Sequence, residues 1–161
     1  MTERKCINLL KRDWEQIASN SSLIDEAKQW YPKEHDYSRN LANKYNLSLQ
    51  QITGMYAAFS PLKSVAENKR ILIDFLKGKQ QGHTAKQINK AKLILQTSNI
   101  DKIDVILRGM KTTAFHRHIF NPLDKDRVCV DRHVIKYFNF GENVCITPKR
   151  YTTYSLSLIH I

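Results

Sequence analysis

The residues with chemical potential are concentrated between Val105 and Phe138. An apolar run, Val105-Ile106-Leu107, meets Arg108 and Gly109, and Met110-Lys111-Thr112-Thr113-Ala114-Phe115 then opens a second helical stretch that also carries Arg117. Helix, glycine turn, helix is a hairpin. Such a turn exposes backbone amides at the positive start of the second helix, where a phosphate is held without any base being read. The plain alternative is an ordinary αα-hairpin closed by a glycine C-cap. Twenty positions beyond Lys111, after Val128-Cys129-Val130, comes Asp131-Arg132-His133-Val134. Asp131 stands where a helix begins, so an N-cap role competes with any chemical one, and Lys111 has the competing role of a simple phosphate contact. His116, His118 and His133 lie near Asp131 and Cys129, but histidines at i and i+2 of one helix do not face one ion. No metal site is expected, and His133 is expected as a hydrogen-bond partner in the core or behind the site.

The elements that must hold these residues read as helices. Ile7, Leu10, Trp14 and Ile17 recur at three and four residues, which predicts one face of a first helix. Three later starts carry capping boxes, in which a Ser or Thr side chain covers an orphan amide and a Gln or Glu three residues on covers another: Ser48/Gln51, Ser64/Glu67 and Thr84/Gln87. The first opens Leu49, Ile52, Met55, Tyr56 and Phe59; the second opens Val65, Ile71, Leu72, Phe75 and Leu76 and closes at Gly78; the third opens Ile88, Ala91 and Leu95. Thr147-Pro148 is a further start, with Pro in the first turn where its missing amide costs nothing. Only Val128 to Val130 reads as a short extended piece, and Trp14 and Trp30 are expected as core anchors. The expectation is one compact all-α domain over residues 1–155, built from about eight short helices.

Composition agrees with that class and narrows the partners. The chain has 161 residues, 42% of them apolar, with only five Gly and four Pro, which argues against a turn-rich β protein or a disordered one. The net charge of +11 is uneven: residues 1–60 hold 8 basic and 7 acidic side chains, 61–92 hold 8 and 2, and 93–161 hold 10 and 6. A positive field over the later two-thirds suits a polyanion, because each cation placed on a phosphate releases counterions. No apolar run reaches membrane-span length and no signal-peptide core follows the N-terminus, so a soluble, cytoplasmic protein is expected. Cys6, Cys129 and Cys145 offer neither a disulfide framework nor a Cys-x-x-Cys pair, so no iron–sulfur cluster and no other cofactor is expected.

The segment resembles the helix-hairpin-helix DNA glycosylases, the endonuclease III-like superfamily. Their hairpin reads Leu-Pro-Gly-Val-Gly-x-Lys-Thr-Ala, and a segment of the form Val-Asp-Thr-His-Val follows one helix later. Leu107, Gly109, Lys111, Thr112 and Ala114 echo the first, and Val130, Asp131, His133 and Val134 echo the second. Upstream, Ala58-Phe59-Ser60-Pro61 and Asn68 look like the core helix junction of short phage proteins related to these enzymes. The resemblance covers Trp30 to Phe138. It departs from the family pattern where Arg108 replaces the Pro, where the hairpin is two residues shorter and lacks the second Gly, and where the cysteine-rich loop is missing.

The resemblance implies a monomeric base-excision enzyme acting on double-stranded DNA, with or without strand cleavage at the abasic site. Lys111 would attack the sugar carbon that holds the base, with Arg108 and Arg117 as neighbouring cations, and Asp131 would stabilise the developing positive charge. Arg108, Gly109, Met110, Thr112, Thr113 and Arg117 would contact the DNA, and Tyr31, Tyr37 and Phe115 are the candidates for receiving the extruded base. Two rivals stand beside this reading: a non-catalytic helix-hairpin-helix DNA-binding protein, and a protein-interaction domain with a basic face. Leu156 to Ile161 reads like the in-frame translation of a transposase end sequence, so 156–161 is expected to be a non-native tail that cuts short the helix begun at Thr147.

Overall fold

A computed structural model describes residues 3–139 and 147–159, and every regular element among them is an α-helix. In chain order these are α1 (Glu3–Ala18), α2 (Ser21–Tyr45), α3 (Leu49–Phe59), α4 (Val65–Leu76), α5 (Ala85–Leu95), α6 (Ile100–Leu107), α7 (Met110–Phe120), α8 (Arg132–Phe138) and α9 (Pro148–Ile159). They sort into two compact units: Tyr31–Pro122, and Met1–Trp30 together with Leu123–Ile161. No helix of the described residues is long and apolar enough to cross a membrane.

The Tyr31–Pro122 unit is organised around α3. Every residue from Ile52 to Phe59 is buried, and α4, α5, α6 and α7 all pack on this helix. From Ile52 onward its sequence is accordingly apolar apart from Thr53 and the Tyr56 hydroxyl, as a stretch of helix with no solvent face requires. A Cβ on Gly54 would stand 2.7 Å from Ile103 Cγ2 and 3.2 Å from Ile94 Cγ2, so the glycine is what lets α5 and α6 approach. Ser48/Gln51 and Ser64/Glu67 both form complete capping boxes. α4 ends in a Schellman motif: Gly78, at φ +88°, donates to Phe75 O at 2.9 Å, and Lys79 donates to Asp74 O at 2.9 Å.

The Thr84/Gln87 box does not form. Thr84 makes no side-chain cap; its own amide donates instead to His83 Nδ1 at 2.8 Å, and the ring's other nitrogen meets Pro61 O. A histidine before the helix has taken the place the box would fill.

The second unit buries Cys6, Val130, Ile135, Phe138, Tyr151 and Tyr154. α1 packs on α9, and the Phe138 and Tyr154 rings stack at 4.7 Å. The buried side of α1 is centred on Cys6 with Leu9 and Leu10, one position round from the expected face. Trp14 is accordingly no core anchor: it is 47% exposed, while Trp30 is half-buried. Val128 to Val130 forms no strand; the Val130 amide turns back to Val128 O at 3.1 Å, and both residues are tied to the Tyr151 hydroxyl. Thr147 opens α9 as its sequence indicates, accepting from the Arg150 amide at 3.3 Å. α9 then runs through the suspect tail as far as Ile159, with Leu158 packed on this core. Cys145 and the Ile17 side chain lie outside the described residues.

Candidate functional site

α6 and α7 are joined by two residues, Arg108 and Gly109. The glycine C-cap of the plain alternative is not how the turn is made. Arg108 takes the left-handed conformation (φ 57°, ψ 3°), and Gly109 is extended as the N-cap of α7 (φ −119°, ψ 126°). Gly109 is demanded by space rather than by its dihedrals: a Cβ there would stand 2.7 Å from Thr112 Oγ1, which donates to Gly109 O at 3.0 Å. The N-cap residue Gly109 has no side chain to cap α7, so it does not cover the first-turn amides that helix geometry leaves without intrahelical partners.

Around this turn the sequence-predicted residues take different situations. Arg108, Met110 and Lys111 are exposed, and Thr112 and Thr113 are half-buried. Arg117 is committed to ion pairs, with its guanidinium 2.6 Å from Asp104 and 2.8 Å from Asp101. Burial would push the Asp104 carboxyl up, but hydrogen bonds from His116 and Arg117 and the guanidinium charge together hold it below the usual carboxylate range. His116 is fully buried with Nδ1 3.1 Å from Asp104, which staples α7 to α6. Lys90 reaches the hairpin from α5 and donates to Leu107 O, the last carbonyl of α6, at 2.5 Å. Burial lowers the Lys90 pKa, and the charges of Lys86 and Arg108 lower it further.

The three aromatic candidates do come together. Phe115 meets Tyr31 at 6.5 Å and Tyr56 at 5.7 Å, both edge-on, and Tyr56 meets Tyr37 at 6.1 Å. Behind this row lies a polar cluster that no motif announces. Glu34 is buried; it accepts from the Tyr56 hydroxyl at 2.8 Å and from Lys69 Nζ at 2.7 Å, and the same ammonium lies 4.4 Å over the Tyr37 ring. Burial, with the Glu34 charge next in size, pushes the Tyr37 phenol up to about 12. Burial and the bond to Glu34 push Tyr56 higher still. Among the described residues, the buried Tyr37 hydroxyl and Asn68 Oδ1 have no hydrogen-bond partner. Glu34, Tyr56 and Lys69 are separated by 22 and 13 positions, so their meeting is a product of the fold; the one sequence signal is a tyrosine in the otherwise apolar run of α3.

Asp131 belongs to the other unit. Its carboxylate is the N-cap of α8, accepting from the amides of His133 at 2.8 Å and Val134 at 3.1 Å. His133 is exposed rather than a core histidine, and it lines an apolar groove of about 550 Å³ with Leu10, Trp14, Val134, Tyr137 and Phe138. The Tyr137 hydroxyl donates to Asp13 at 2.7 Å beside this groove, and burial with that bond raises its pKa to about 12.

The chain belongs to DUF7178, a family of unknown function, which it matches over residues 1–152. No curated protein and no solved structure matches it.

Proposed function

We propose that this member of the DUF7178 family binds double-stranded DNA through the α6–α7 hairpin and removes a base from it, with Lys111 as the nucleophile. One observation carries the reading: Lys111 lies in the first turn of α7, directly after the two-residue turn, four positions before a phenylalanine that is set into an aromatic row. A phosphate held at the start of α7 brings a sugar to this amine, and the half-buried rings of Tyr31, Tyr37 and Phe115 are the candidates for receiving a base taken out of the stack. The Lys111 amine would form a bond to the sugar C1′ as the C1′–N bond breaks. The electron pair leaves with the base, which takes up the proton lost from the new ammonium; the C1′–O4′ bond then opens as O4′ takes up a proton, and the ring-opened sugar remains joined to the enzyme as an iminium. The role of Asp131 in assisting this step is proposed from its sequence position twenty residues on.

A second reading, DNA binding without chemistry, is favoured by the Asp131 carboxylate already accepting two backbone amides, a complete structural role. Borohydride trapping on a duplex with an abasic site separates the two. The base-excision reading expects a covalent adduct that Lys111→Ala abolishes. Duplex binding with no adduct gives the protein to the second reading, and no binding at low salt ends both.

A further inference from the structure

We propose that Lys86, Lys90 and Arg108 form a phosphate site on the α5 flank of the α6–α7 turn, and that it holds a backbone phosphodiester of the bound duplex. The identity of the ligand rests on the DNA reading above; the site itself rests on the following geometry.

Lys90 is fixed in place. Its Nζ donates to Leu107 O at 2.5 Å, so a half-buried ammonium stands at the residue next to Arg108. Lys86 is one helical turn earlier on α5 and shares the face of Lys90. Lys90 is close enough to both of the others that the charges of Lys86 and Arg108 each disfavour its protonated form. Nothing neutralises the group: the nearby Asp104 and Asp101 are taken up by Arg117, and among the described residues no carboxylate lies within 4 Å of Lys86, Lys90 or Arg108. A cluster of like charge around a pinned, partly desolvated ammonium is relieved by an anion, and a phosphate supplies acceptors for all three donors.

The backbone of Arg108 points the same way. The residue takes a left-handed conformation, which costs an L residue energy and costs glycine almost none. The turn nevertheless carries a long cation there, and the adjacent Gly109 is extended. Asn46 and Leu62 take the left-handed conformation as well; what sets Arg108 apart is a long cation next to the residue whose carbonyl holds the Lys90 ammonium. This foothold is distinct from the amides at the start of α7: it is made of side chains, and α5 supplies two of its three members.

Two measurements test the proposal. The first is duplex affinity by fluorescence anisotropy across a salt series for the wild type, Lys86→Gln, Lys90→Gln and Arg108→Gly. Each variant is expected to weaken binding and to reduce the slope of log affinity against log salt by about one. Arg108→Gly should do so with a melting temperature equal to or above that of the wild type, since the strain is removed along with the cation. The second follows Lys90 by carbon-13 NMR of its ε-carbon through a pH titration with and without inorganic pyrophosphate. The anion is expected to raise its pKa. Duplex binding with unchanged slopes overturns the site and leaves the DNA reading standing. An unmoved Lys90 titration overturns the site as well. A pyrophosphate response in a protein that binds no duplex upholds the phosphate site and overturns the DNA reading. A fall in the Arg108→Gly melting temperature would assign the arginine to the fold rather than to a ligand.

Discussion

Lys111 and Phe115 stand four residues apart on α7 and so share a helix face, and the Phe115 ring meets the Tyr56 ring edge-on at 5.7 Å. The exposed amine and the inner aromatic row are thus joined through one turn of helix, and the row leads through the Tyr56 hydroxyl to the buried Glu34 carboxylate. The two ends differ in what they contribute to stability. Lys111→Ala is expected to change stability by less than about 0.5 kcal/mol, whereas Phe115→Ala should cost about 2–3 kcal/mol through lost burial and ring contacts. Urea melts of both variants check this; the reverse order would mean that Phe115 does not anchor the row.

Glu34 holds a charge where water is scarce, and Lys69 is its counter-ion at 2.7 Å. Lys69→Met should destabilise the protein by roughly 2–3 kcal/mol, because the carboxylate is left buried with the Tyr56 hydroxyl alone. Adding Glu34→Gln to that variant should recover much of the loss. Failure of the second substitution to recover stability, read from denaturant midpoints, would show that Lys69 acts through its packing on Tyr37.

Asp131 separates capping from chemistry by substitution. Asparagine keeps the acceptor for the His133 and Val134 amides, so Asp131→Asn should stay within about 0.5 kcal/mol of the wild type, while Asp131→Ala should lose about 1 kcal/mol. Under the base-excision reading, the excision rate falls severely in both. Activity retained by the asparagine variant would leave the carboxylate with a cap role alone.

Tyr37 and Tyr56 couple stability to alkali. Both are held neutral by burial and by Glu34, so their folded pKa values exceed the unfolded value near 10, Tyr37 reaching about 12. A group whose folded pKa is raised contributes stability that is complete below its unfolded pKa and is lost as pH rises through the folded one. Stability should therefore fall between about pH 10 and 12, and Tyr37→Phe should flatten the fall. Phenolate absorbance followed alongside circular dichroism checks this; tyrosines that ionise near pH 10 in the folded protein would contradict it.

Local signals carried the helices well where the deciding partner lies within four residues. Ser48, Ser64, Gly78 and Thr147 each do what their neighbours in sequence require. They misled where a more distant or less regular competitor entered: His83 takes the Thr84 amide, and Cys6 with Leu9 turns the α1 face away from Trp14. Between α6 and α7, the break at Gly109 was legible, but the left-handed residue was not, because glycine is the usual occupant and here it is Arg108. The Glu34–Tyr56–Lys69 cluster joins α2, α3 and α4, and Lys90 meets Leu107 across 17 residues. Contacts of that kind leave no periodic trace in a single sequence, so only the folded chain reveals them.

The enclosure of Ile52 to Phe59 in α3 sets a clock for its own unit. Because Ile52 to Phe59 have no face on solvent, base cannot reach their amides while α4, α5, α6 and α7 remain docked. Local fraying, which serves for exposed helices, is closed to this one, and deuterium enters only when the surrounding helices part together. The slowest-exchanging protons of the unit therefore belong to α3, and their rate reports the global opening of the body that carries the hairpin.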